Sequence, residues 1–253
     1  MFVLKKLFVL ILPGVWVIAL ELIKENYLNW WKYLVFVFIY QLFVLFLLNK
    51  FKLSNTFFHF LIIPIVFSIG CFFTLALSVN DYLFHALVVI SGVFLYALFR
   101  QYLLYLYFPQ KYQPYSLESL YLYMLIFSVF FVFVGGFGAI ILLQLNLWLI
   151  LAIQLILIVP LLYVFFWINK VEIAKSWLFI FVISLLTLQL FVVVSYLPSS
   201  YYLNAFLLTM AIYIMIGLSK KFLKSELNKK AVISYLLVGG ISLIAVLLTA
   251  QWG

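Results

Sequence analysis

Apolar residues run through this chain in blocks of about twenty, the length that crosses a bilayer as a helix, and polar residues gather at the breaks between them. The first block covers about 7–23, contains Pro13-Gly14, and is followed by Lys24, Glu25, Asn26 and Asn29. The second covers about 31–48; Trp30 and Trp31 lead into it and Lys50 and Lys52 close it. Tryptophans at a block entrance suit the aromatic belt of a membrane interface. The third covers about 56–79 and ends on Asn80-Asp81, and the fourth runs from about 82 to Arg100 or a turn beyond. A longer break follows at about 101–116, after which Ser116 is placed to cap a helix and Glu118 falls in its first turn, where a carboxylate suits the dipole. Residues 119–169 carry no charge and divide at Gln144-Leu145-Asn146 into blocks five (about 117–143) and six (about 147–168). Pro198-Ser199-Ser200 separates block seven (about 175–197) from block eight (about 201–219), and a basic connection from Lys220 to Lys230 leads to block nine at about 231–250. The expectation is an all-α fold: a polytopic transmembrane helical bundle of about nine spans forming a single transmembrane helical domain over 1–253, with no soluble domain.

Composition excludes the alternatives. Apolar residues make up 70% of the chain and charged residues 8%, against roughly 25% charged in soluble domains. Such a chain cannot cover a water-facing surface, so lipid must be the solvent for most of it. Lys5 and Lys6 followed by the apolar run from Leu7 to Leu20 imitate a signal peptide. Ala19-Leu20-Glu21 matches a small-x-small cleavage site poorly, and the segment reads as an uncleaved first span.

Charge orients the chain. The net charge of +9 does not point to nucleic acid, because the basic residues lie in short runs between apolar blocks. With the N-terminus inside, the inner connections hold Lys5, Lys6, Lys50, Lys52, Arg100, Lys111, Lys170, Lys175, Lys220, Lys221, Lys224, Lys229 and Lys230; the outer ones hold only Lys24 and Lys32. Thirteen against two is the positive-inside pattern, and it places the C-terminus outside. The segment with Lys220, Lys221, Lys224, Lys229 and Lys230 suits anionic lipids of an inner leaflet, at roughly 1 kcal/mol per lysine, or an acidic partner.

No zinc-protease, P-loop, dinucleotide-binding or nucleophile-elbow motif occurs, and none implies a cofactor. Cys71 is the lone cysteine, so no intrachain disulfide is possible. His59 and His85 fall about one turn into blocks entered from opposite sides, too far apart to share a metal. Glu21, Glu25, Asp81 and His85 share one depth at the outer face. Two readings are open for them: a polar site on that face, or a snorkelling Glu21–Lys24 pair on one helix with Asp81 capping a turn. Arg100, Glu118, Glu172 and Lys175 share a depth at the inner face, where Arg100 can pair with Glu118. Gln41, Gln154, Gln189, Ser184 and Thr187 lie inside blocks and are expected to bond to neighbouring helices. Pro64 and Pro160 are expected to kink their spans. The small patch Gly135, Gly136, Gly138 and Ala139 is expected to lie against another helix, and Tyr102, Tyr105, Tyr107 and Phe108 to anchor the inner interface.

At Tyr112-Gln113-Pro114-Tyr115-Ser116-Leu117-Glu118 and again at Leu248-Thr249-Ala250-Gln251-Trp252, the chain resembles uncharacterised polytopic membrane proteins of small-genome bacteria, over roughly residues 50–252. The resemblance implies a bacterial inner membrane and carries no activity. Three functions remain open: a non-enzymatic component of an envelope assembly with membrane-protein partners, a transporter or lipid-handling channel, and an intramembrane enzyme acting on a lipid headgroup through Glu21, Asp81 and His85.

Overall fold

The computed structural model describes residues 2–25, 30–50, 55–78 and 80–249. Those residues form nine helices: α1 (Phe2–Glu25), α2 (Trp30–Leu48), α3 (Asn55–Ala76), α4 (Asp81–Tyr107), α5 (Ser116–Leu143), α6 (Leu147–Ile168), α7 (Ile173–Ser195), α8 (Tyr201–Leu223) and α9 (Lys229–Thr249). No strand occurs among the described residues. Eight helices, α1 to α8, are long and apolar enough to cross a membrane when only described residues are counted. The ninth expected span falls on α9, which is not among those eight.

Helix ends follow local chemistry. Asn80, Asn146 and Ser200 cap α4, α6 and α8, their side chains accepting from the amides of Leu83, Trp148 and Leu203. The Asn228 side chain accepts from the Ala231 amide at 2.7 Å near the start of α9. Lys170 and Ser225 close α6 and α8 in the left-handed conformation, with φ of 57° at both. In each case the next amide reaches back five residues, from Val171 to Phe166 O and from Glu226 to Lys221 O, to satisfy a terminal carbonyl. Glycine usually takes that position. Here four glycines instead sit where helices meet: a Cβ on Gly92, Gly136, Gly217 or Gly239 would strike a side chain of the neighbouring helix. The helices run unbroken through Pro13, Pro64 and Pro160.

Contacts group the chain into two units, Met1–Met124 and Leu125–Gly253, and α5 begins in the first and ends in the second. In the first unit α1 packs on α2 and α4, and α3 packs on the same two helices. Its core is aromatic. Trp16, Phe60, Phe67, Phe99, Tyr102 and Tyr121 are fully buried. Phe60 stacks on Tyr102 with ring centroids 4.4 Å apart. The Tyr102 hydroxyl donates to Phe60 O at 3.0 Å and lies 2.5 Å from the Tyr121 hydroxyl. This corrects one expectation: Tyr102 is a core residue, because its hydroxyl finds buried partners, whereas Tyr105 stays exposed.

In the second unit α6, α7, α8 and α9 pack in succession. Residues 131–139 of α5 are all buried, and Gly136 receives the Gln154 carboxamide of α6 and the edge of Phe191 of α7. The small patch therefore lies against helices, as its composition implied. Phe137 stacks on Phe191 at 4.2 Å. The α8–α9 packing is reciprocal: Tyr235 fills the space over Gly217 and Ile214 that over Gly239.

Candidate functional site

Three of the four polar groups expected to share one face, Glu21, Asp81 and His85, come together at one end of a seam between α1 and α4. The two helices are antiparallel there, so residue numbers fall on one as they rise on the other. Deep in the seam, Gly92 lets α1 approach; a Cβ there would lie 2.8 Å from Val17 Cγ2 and 3.6 Å from Pro13 O. One step along, Trp16 Nε1 donates to Ser91 Oγ at 2.8 Å, and that hydroxyl donates on to Val88 O at 2.8 Å. Toward the end, Glu21 Oε1 lies 2.8 Å from His85 Nδ1. The last pairing is Lys24 Nζ to Asp81 Oδ1 at 2.7 Å, with the ammonium 4.9 Å from the Phe84 ring centroid.

Helix geometry explains the convergence. Glu21 and Lys24 are three apart on α1 and Asp81 and His85 four apart on α4, so each pair shares one helix face. Antiparallel packing then sets the two faces opposite each other. The expected Glu21–Lys24 pair is replaced by two pairs across the seam, because each carboxylate finds an opposite partner on the other helix. The Glu25 side chain lies outside the described residues.

The side chains of Glu21 and His85 are 35% and 53% exposed. An ionised carboxylate only accepts, so Nδ1 carries a proton in this pair. A carboxylate holding an imidazole in one tautomer is an arrangement that general-base chemistry uses. It is also an ordinary inter-helix bond. His59 lies in the second turn of α3. Among the described residues no three His, Cys, Asp or Glu side chains gather as a metal site.

At the opposite end of α4, Arg100 does not pair with Glu118 among the described residues. Tyr112 intervenes. Its hydroxyl donates to Glu118 Oε2 at 3.1 Å and accepts from the Leu117 amide at 3.2 Å, closing the start of α5. Burial raises the Tyr112 phenol above its ordinary pKa, and the neighbouring Glu118 charge acts the same way. Arg100 instead lines a groove of about 350 Å³ between α4 and α5. Glu172 and Lys175 belong to the second unit and pair with each other at 2.6 Å, three residues apart.

The intramembrane polar residues divide. Gln41 Nε2 donates to Ser68 Oγ at 2.8 Å and Gln154 Nε2 to Val132 O at 2.9 Å, both across helices as expected. Ser184 and Thr187 turn back to Ile180 O and Ile183 O of their own helix, at 2.7 Å each. A hydroxyl is short enough to reach the carbonyl one turn earlier, so it needs no neighbour. Gln189 is exposed on α7 and has no hydrogen-bond partner among the described residues. Trp16, Ser91 and Gly92 were not evident from the sequence; the one signal was a tryptophan in mid-span, away from the interfacial belt.

Helices long enough to cross a bilayer, joined by short polar connections, make this chain a polytopic membrane protein. The family model described as "Protein of unknown function (DUF5656)" matches residues 47–249, and the chain belongs to that family. No curated protein and no solved structure matches it. The matched region begins near the end of α2, so α4 lies inside it and α1 outside.

Proposed function

We propose that this protein is a non-enzymatic component of an assembly in a bacterial inner membrane, with α7 offering a surface to a partner helix. Gln189 carries this reading. It lies six residues from the Ser195 end of α7, about 9 Å into the span. Its exposed neighbours along the helix include Leu185, Leu186 and Val193. A carboxamide facing hydrocarbon without a partner is unfavourable, and a polar group on an adjoining helix would recover on the order of 0.6–2 kcal/mol. Glu21, Lys24, Asp81 and His85 fit the same reading, since all four are already engaged in holding α1 to α4. In this reading all nine helices span, the N-terminus is cytoplasmic, and Lys220, Lys221, Lys224, Lys229 and Lys230 meet anionic lipids of the inner leaflet. The thirteen-to-two distribution of basic residues supports that orientation.

The test is a photo-crosslinking residue placed at position 189 in living cells, with position 241 as the comparison, where Ile241 is 67% exposed. The expected result is a discrete adduct with another membrane protein from position 189 only. Lipid adducts alone, or the same pattern from both positions, would refute the reading.

A second reading has one observation in its favour. Glu21, Asp81 and His85 converge within two linked pairs, as an enzyme acting on a lipid headgroup would require, and His85 is half exposed.

A further inference from the structure

The groove at Arg100 has features the function above does not use. Arg100 is the only arginine in the chain. Its guanidinium makes no ion pair or hydrogen bond among the described residues, and Tyr112 engages the nearest expected counter-charge, Glu118. A planar fork of five N–H donors matches phosphate oxygens better than any other side chain does. Beside it, Ser116 Oγ donates to Gln101 Oε1 at 3.2 Å, which aligns the Gln101 carboxamide and leaves its NH2 group to donate elsewhere. Ser119 adds a hydroxyl to the lining. The groove also adjoins the start of α5, a 28-residue helix whose positive dipole end favours an anion.

Depth identifies the ligand. From Asp81 to Arg100, α4 advances nineteen residues, about 28 Å at 1.5 Å per residue. That is close to the thickness of a hydrocarbon core, roughly 30 Å. If the Lys24–Asp81 pair marks one interface, Arg100 stands at the other. The groove changes character along the same axis. Arg100, Gln101 and Ser116 line its shallow end; Val93 and Tyr123 line it about two turns deeper, with Ala97 and Leu120 between. A polar pocket at headgroup depth continuing into an apolar channel matches a phospholipid at its phosphate-to-acyl boundary, whereas a free anion would leave the apolar part unused.

We infer that this groove binds an anionic phospholipid, its headgroup phosphate on Arg100, Gln101 and Ser119 and an acyl chain along Val93, Ala97 and Leu120. Its occupancy does not depend on the assembly reading.

The experiment uses the purified full chain in a neutral detergent. Retention of phosphatidylglycerol is measured by native mass spectrometry for the parent, Arg100→Gln, Arg100→Lys and a Lys221→Gln/Lys224→Gln control. Arg100→Gln removes the charge-assisted hydrogen bonds to the phosphate and should lower occupancy by about tenfold. Arg100→Lys should keep an intermediate affinity, and the lysine control should retain lipid at this site. Thermal unfolding without added lipid should match the parent, because Arg100 has no ion-pair or hydrogen-bond partner among the described residues to give up. Equal retention by parent and Arg100→Gln would overturn the inference. So would displacement of the lipid by millimolar inorganic phosphate, which would identify a site for free anion.

Discussion

The two units solve the problem of packing helices in lipid by different means. In Met1–Met124, polar side chains reach across: Trp16 to Ser91, Gln41 to Ser68, Tyr102 to Phe60 O and Tyr121, Glu21 to His85, Lys24 to Asp81. In Leu125–Gly253, several hydroxyls bond within their own helices, Ser184, Thr187 and Thr209 among them. Neighbours there are located largely by shape: Gly136 under Gln154 and Phe191, Gly217 under Tyr235, Gly239 under Ile214. The division is not strict: Gln154 to Val132 O is a polar bond across helices in the second unit, and the first unit has a glycine seat of its own, Gly92 against Val17. Lipid supplies no hydrophobic drive between helices, so either close packing or a polar bond must fix register. A polar bond tolerates small shifts in backbone spacing, because side chains can reorient. A glycine seat does not, because the backbone itself is the packing surface.

That difference predicts the largest effect in the second unit. Gly136→Leu must displace both Gln154 and Phe191, and overpacking of this kind costs about 1–3 kcal/mol. Gly217→Leu meets Tyr235 and should behave alike. Gly240→Leu is the control, since nothing lies within 4 Å of a Cβ there. Thermal unfolding in detergent should show clear destabilisation for the first two and little change for the third. Three equal decreases would mean that helical glycine is sensitive in general and that the packing at each site is incidental.

A middle-sized effect belongs to the first unit. A double-mutant cycle with Gln41→Leu and Ser68→Ala should give a coupling of about 0.6–2 kcal/mol between α2 and α3. Thr187→Val in the second unit, which removes a bond within one helix, should change stability by less than that. Coupling near zero at Gln41–Ser68 would erase the contrast between the units.

The smallest effect is expected at the exposed charges. Exposed ion pairs contribute about 0–1 kcal/mol, so Glu21→Gln, Asp81→Asn and His85→Gln should each insert at normal abundance with a small change in stability. Under the assembly reading, each should also restore growth to a strain lacking the native copy. Failure of all three at normal abundance would move the balance to the enzymatic reading, in which the Glu21–His85 pair acts on a headgroup.

Helix number, type and ends were readable in the linear chain. Bilayer thickness sets the block length, and the breaks at Asn80-Asp81, Gln144 to Asn146 and Pro198 to Ser200 mark where one helix gives way to the next. Ser116, the residue expected to cap α5, instead donates to Gln101 Oε1 while Tyr112 takes the Leu117 amide. Level along the helices left a trace as well: Glu21, Asp81 and His85 lie near the ends of their blocks in the sequence, and the structure joins Glu21 to His85 and Asp81 to Lys24. Partners were not readable. Whether Lys24 bonds Glu21 on its own helix or Asp81 on α4, and whether Glu118 goes to Arg100 or Tyr112, depends on how each helix is rotated and which helix stands beside it. Position along the membrane normal is a one-dimensional quantity that a sequence carries directly. Rotation and neighbour are set by the packing of many side chains at once, including approaches as inconspicuous in sequence as Gly92 against Val17, and only the folded structure decides them.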